Sequence, residues 1–235
     1  LHRDTGNPNP NPAGIEAYDV AHRYFYDLAS ERRLRPTGDM MSELVQAEVE
    51  RDDGTVTRLS DEEISNFGVL LCGAGSETVT KLMGSAAVLF SENPDQWHNV
   101  LEDPTSIPAA VEEVLRYFPP SEYQGRYTRR TSVLHDVTIP ADQPLLLLTR
   151  AACHDEREFP DPDRFDISRS QHVSIGFGHG IHSCLGAALA RLESKITIEE
   201  IRRRWPNFRV DLQRCARVTA ANVAGYAHVP IAPNG

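Results

Sequence analysis

Apolar residues recur every three or four positions through most of this chain, and that spacing predicts helices. Tyr18, Ala21, Phe25 and Leu28 mark one from about Ile15 to Arg33, ended by Pro36-Thr37-Gly38. Asp39 is placed to cap a second helix whose apolar positions are Met40, Leu44, Ala47 and Val49, and Asp52-Asp53-Gly54 reads as a turn. Ser60-Asp61-Glu62-Glu63 is a capping box that opens a long helix to about Ser91. Pro94-Asp95 begins a helix holding Trp97 and Leu101, and Ser106-Ile107-Pro108 begins another that Pro119-Pro120 stops. Between Gly125 and Thr149 the period shortens to strands, such as Val137-Thr138-Ile139 and Leu145 to Thr149. Leu185, Ala188, Leu189 and Leu192 restore helical spacing as far as Trp205, where Pro206 ends it. Beyond it, Phe208, Val210, Val218 and Val223 alternate weakly, as small strands do. The pattern predicts a mainly α chain with small β-sheets.

Composition narrows the function classes. At 235 residues with 40% hydrophobic side chains, the chain can fill one large domain or two small ones. Cysteines stand only at 72, 153, 184 and 215, with no C-x-x-C pair, which argues against a disulfide framework and for a reducing, cytoplasmic location. The net charge of −10 disfavours a nucleic-acid partner. No run of eighteen apolar residues is present, so no membrane span is predicted. The polar start carries no signal-peptide pattern, residues 1–14 read as a linker built on Asn7-Pro8-Asn9-Pro10-Asn11-Pro12, and Leu1 suggests a beginning inside a longer protein.

One stretch carries the chemistry. In Phe177-Gly178-His179-Gly180-Ile181-His182-Ser183-Cys184-Leu185-Gly186, a single cysteine stands between a glycine-rich bend and a helix. Glycines at 176, 178 and 180 permit positive φ and close approach to a flat object. At a helix N-terminus, unpaired N–H groups and the dipole favour a thiolate. A lone thiolate on a rigid bend suits a single-point metal ligand, whereas zinc and iron–sulfur sites need companions. Two other readings stay open on spacing alone: a buried, inert cysteine, or a small metal site from His179, His182 and Cys184.

Elsewhere, Val69 to Ala74 is apolar all round and is predicted to be buried, followed by Gly75, Ser76, Glu77, Thr78 and Thr80. Two glycines there cost about 1 kcal/mol each relative to alanine, and a buried Glu77 needs partners. Such rule-breaking marks a site, unless the helix is merely kinked with its hydroxyls bonded back to carbonyls. Glu113 and Arg116 lie three apart on one helix face, a pair worth only about 0.2–0.5 kcal/mol if exposed.

The cysteine stretch resembles the haem-binding signature of the cytochrome P450 family, the haem-thiolate monooxygenases, in their soluble, bacterial-like form. The resemblance covers the C-terminal part of the family's fold, somewhat more than half of it. It implies haem b (iron protoporphyrin IX) with Cys184 as iron ligand and with Phe177, Gly178 and Gly186 in the binding loop. Ala74-Gly75-Ser76-Glu77-Thr78 resembles the family's oxygen-activation motif, which implies that Ala74 and Gly75 face the haem while Glu77 and Thr78 relay protons. Glu113 and Arg116 resemble the family's structural salt bridge. They are therefore expected to be buried and bonded to the segment Phe159 to Phe165, with Arg164 as third partner. Arg126 matches a propionate-binding arginine and His182 a second propionate contact, although Arg126 also reads as a surface strand residue. Asp142 stands where the family's turn usually has glycine. His135, His154, His172 and His179 receive no role.

By this resemblance the protein hydroxylates a small apolar organic substrate with O2 and two electrons from a ferredoxin or flavoprotein reductase. Arg202-Arg203-Arg204 either docks that donor or complements a helix C-terminus. The rival reading is a haem-binding or purely structural remnant without catalytic activity, because the family's roof over the substrate pocket has no counterpart here.

Overall fold

The computed structural model describes residues 11–170, 175–218 and 223–233. It forms two compact units, 1–76 and 77–235, and the longest helix runs through the boundary. The Asn7–Pro10 stretch and His172 lie outside the described residues.

In the first unit, α1 (Pro12–Leu34) begins inside the predicted linker, because the Asn11 side chain accepts from Gly14 N–H and Pro12 supplies a preset φ. Asp39 caps α2 (Met40–Gln46) through Ser42 N–H at 2.8 Å. That helix stops before the predicted Ala47 and Val49. Ala47 turns extended, and Val49 pairs with Thr57 in the hairpin of β1 (Glu48–Glu50) and β2 (Val56–Arg58). Gly54, at φ 80°, makes the tight turn. The Ser60–Glu63 box opens α3 (Asp61–Glu92), with reciprocal bonds of 2.8 and 3.2 Å. Arg51 grips the Glu63 carboxylate, and together with the Ser60 bonds it holds that carboxyl at about 2. Ala29, Met41, Val45 and Ile64 form this unit's small core.

The second unit holds the larger core. α4 (Pro94–Glu102), α5 (Ile107–Tyr117) and α7 (Ala187–Arg204) pack with the end of α3 around Phe90, Trp97, Val111, Val114 and Ile198. Trp97 sits edge-on to Phe208 and donates its indole N–H to the Pro206 carbonyl at 2.8 Å, so its polar atom is satisfied within the core. The strands form two-stranded antiparallel pairs: β3 (Gln124–Tyr127) with β6 (Pro144–Leu147), and β4 (Ser132–Leu134) with β5 (Val137–Ile139). β7 (Arg209–Val210) pairs with β10 (Ile231–Ala232), and β8 (Ala216–Arg217) with β9 (Tyr226–His228). β6 ends two residues earlier than the apolar run predicts, because Thr149 opens the short α6 (Thr149–Ala152).

Candidate functional site

The cysteine does not sit on the helix. Gly186 is the N-cap of α7 and Ala187 its first residue, so Cys184 belongs to the turn before it. Its N–H donates to the Phe177 carbonyl at 2.9 Å, and its own carbonyl accepts from Ala187 N–H at 3.3 Å. The thiol is thus presented by backbone bonds on both sides. Gly178 and Gly180 take φ of 71° and 78°, values that an L side chain adopts only under strain. Gly176 does not. It is needed for space instead, since a Cβ there would meet Leu115 Cγ at 2.6 Å. The loop therefore rests against α5 on one side and opens outward on the other. Cys184, His182 and Leu185 are exposed, and Ile181 is 98% exposed.

Two of the open readings for this cysteine lack geometry. It is not a buried core residue. Nor do any three His, Cys, Asp or Glu side chains converge on one point among the described residues, so His179, His182 and Cys184 make no tetrahedral cage. What remains is one exposed sulfur beside glycines that keep the bend low: no heavy atom beyond the chain neighbours lies within 4 Å of a Cβ built on Gly180. A flat, singly anchored group fits those residues.

Behind the loop, Arg191 on α7 lays its guanidinium over the Phe177 ring at 4.6 Å and bonds the Glu112 carboxylate at 2.5 and 3.3 Å. Neither contact was legible in the spacing of the sequence.

Glu113 and Arg116 are both 0% exposed. Arg116 donates two bonds to Glu113 at 2.8 Å, and three more to the carbonyls of Cys153, Pro162 and Arg164 at 2.9, 2.8 and 3.2 Å. Those five bonds use every N–H a guanidinium has. Asp166 N–H donates to Glu113 in turn, at 3.0 Å. Arg164 contributes only its carbonyl: its side chain turns out to solvent and pairs with Asp166. The third charged partner is Arg169, a residue the sequence reading passed over, with Nε 3.5 Å from Glu113 and a side chain only 10% exposed. The reason is steric. Arg116 already fills the space between α5 and the proline-rich segment, and the chain must turn back after Asp166 before another side chain can reach Glu113. Burial works to raise the Asp166 pKa, but bonds from Ser168 and Arg164 outweigh it and hold the carboxyl at about 2. Burial also pushes the Cys153 thiol up to about 11, against the opposing pull of Arg116, which makes it an inert core cysteine.

The predicted burial of the α3 motif is not found. Leu70 is 66% exposed, Cys72 to Glu77 are exposed, and Thr78 is half-buried. An apolar helix face is buried only when something packs on it, and among the described residues no heavy atom stands within 4 Å of a Cβ built on Gly73 or Gly75, the helix's own backbone and the chain neighbours set aside. Ala74 and Gly75 belong to the first unit. In the second, Glu77 is half-exposed, with its carboxylate 4.0 Å from Lys81 Nζ. The helix is continuous through both glycines. Arg126, on β3, is exposed and bonds the Gly125 carbonyl.

The arginine triplet does not form a uniform cationic patch. Arg202 donates to the Val100 and Leu101 carbonyls at the end of α4, while Arg203 and Arg204 both bond Glu200. Arg202 thus complements a helix C-terminus, but that of its neighbour.

The family description cytochrome P450 matches residues 101–216, the span holding both the buried pair and the cysteine loop. Over 211 residues the chain is 41% identical to the erythromycin C-12 hydroxylase of Saccharopolyspora erythraea, covering 88% of this chain and 52% of that one. It is 40% identical over 232 residues to a cytochrome P450 123 of Mycobacterium tuberculosis, covering 98% and 56%. The chain belongs to the cytochrome P450 family. Among solved structures, the hydroxylase HmtN of himastatin biosynthesis superposes with a TM-score of 0.88 at 32% identity, over 94% of this chain and 59% of that one. The P450 EryK of S. erythraea superposes at 0.86 and 39%, over 96% and 58%. The chain spans somewhat more than half the length of these P450s, and it has their fold. The family's cofactor is haem b.

Proposed function

We propose that the protein carrying this chain is a haem-dependent monooxygenase that hydroxylates a small apolar organic molecule with O2 and two electrons from a ferredoxin or flavoprotein reductase. The observation that supports it most is the presentation of Cys184: an exposed sulfur, fixed by backbone bonds to Phe177 and Ala187, beside two glycines of positive φ. Named hydroxylases among the relatives support the reaction class. Four free thiols, and the absence of any helix among the described residues long and apolar enough to cross a membrane, support a cytoplasmic setting.

When bound, haem b supplies an iron able to activate dioxygen, and an anionic sulfur ligand pushes electron density towards it. Cys184 is the residue that holds the iron, with Phe177, Gly178 and Gly186 shaping the loop beneath. Arg126 and His182 are assigned to the propionates, whose carboxylates a guanidinium can grip in a bidentate manner. Glu77 and Thr78 are neighbours on α3 and are assigned to proton delivery. The carboxylate takes a proton from water and the hydroxyl passes it on. Glu113 and Arg116 bind nothing in this scheme; they hold the segment that leads into the cysteine loop.

The test is spectroscopic. The reduced, haem-loaded protein with carbon monoxide should show a thiolate-type Soret band, and Cys184→Ser should abolish it. An imidazole-like band in the parent protein would overturn the functional reading. A thiolate-type band surviving in C184S would overturn the assignment of Cys184.

A further inference from the structure

Arg191 stands on α7 seven residues beyond Cys184, and a short series of contacts links it to the cysteine loop. Its fork holds Glu112 on α5 at 2.5 and 3.3 Å, and the Glu112 side chain is 20% exposed. Its plane covers the Phe177 ring at 4.6 Å. Phe177 in turn accepts the Cys184 N–H at 2.9 Å. A chain of contacts thus runs from α5 through a guanidinium and an aromatic ring to the backbone that aims the sulfur. Adjacent residues of α5 have different partners: Glu113 binds Arg116 in the buried brace, and Glu112 binds Arg191 on α7.

We propose that Arg191 is a positioning residue for the sulfur ligand, clamped by Glu112, pinning Phe177 and holding a fixed positive charge behind the cysteine loop. This rests on the reading of Cys184 as the iron's ligand. The Glu112 hydrogen bond raises the Arg191 pKa against the opposing effect of burial, so the guanidinium stays charged one aromatic ring away from the backbone that holds Cys184. A cation there steadies the anionic sulfur. It also favours the reduced iron, since reduction adds negative charge to the same centre. Arginine suits the task because its planar fork can pair with a carboxylate and stack on a ring at once. The partial exposure of the pair leaves its field screened by water, so the effect is moderate.

The experiment compares reduction equilibria of the haem-loaded protein and two charge variants at one fixed applied potential. Arg191→Gln should lower the ratio of reduced to oxidised iron three- to tenfold. Glu112→Gln leaves the cation without its counter-charge and should raise that ratio, by two- to threefold. A merely structural role would move both variants the same way or neither. An unchanged ratio in both, or a shift of one sign in both, overturns the proposal. If R191Q fails to take up haem, E112Q decides alone: a raised ratio supports the proposal, and an unchanged or lowered one overturns it. The carbonyl band of C184S reports on the underlying assignment separately, so the two failures are distinguishable.

Discussion

Glu113 and Arg116 are buried residues of α5, the Cys184 loop rests against Leu115 of the same helix, and the two regions solve opposite problems. The pair is wholly buried, and all five guanidinium N–H groups are used inside the protein. The loop is open: its backbone is bonded, but Ile181, His182, Cys184 and Leu185 face outward. A buried charge without partners costs several kcal/mol, so the brace must be complete before anything binds. A ligand-presenting loop must keep its side chains available and can satisfy only its backbone. Stability and ligand presentation thus fall to different residues, in two regions that meet at α5.

The comparison can be broken by substitutions whose stability effect falls from brace to loop while the functional effect rises. Arg116→Ala leaves Glu113 buried beside orphaned carbonyls and should cost about 3–5 kcal/mol, read by denaturant unfolding. Gly176→Ala drives a methyl into Leu115, where the loop meets α5, and should cost about 1–3 kcal/mol. Acid should also weaken the brace. Asp166 titrates at about 2 in the folded protein against an ordinary 3.8. Its contribution of about 2 kcal/mol is therefore present above pH 4 and lost as pH falls towards 2. A stability curve flat across that window would contradict it. Gly180→Ala meets no neighbour beyond its own chain contacts and pays only for positive φ, about 1 kcal/mol. Cys184→Ser should change stability by less than about 0.5 kcal/mol while removing the thiolate-type band entirely. Finding C184S as destabilised as R116A would erase the division between the two regions.

Much of this was legible along the chain. The capping box, proline starts and apolar periods placed six of the described α-helices to within a few residues, because those signals act within one turn, and missed the four-residue α6, whose first residue reads as the end of a strand. The cysteine stretch pointed to haem only through its resemblance to the family's signature, because spacing alone left two other readings open. Errors fell where a residue's partner is distant in sequence. Arg164 and Arg169 lie five apart and carry the same charge, and only the turn after Asp166 decides which of them reaches Glu113. Gly176, Gly178 and Gly180 look alike as letters, yet one makes room for Leu115 and two make the bend.

The sequence by itself determined most of the helices and singled out Cys184 as the candidate sulfur donor, since each depends on local backbone preference or on residue type. The tertiary structure alone decided burial and pairing. It left the Cys72–Glu77 stretch of α3 exposed, buried Arg116 with five acceptors, and set Arg191 over Phe177 with Glu112 at its back. Spacing along a helix fixes which residues share a face, but what that face meets is set by elements tens of residues away.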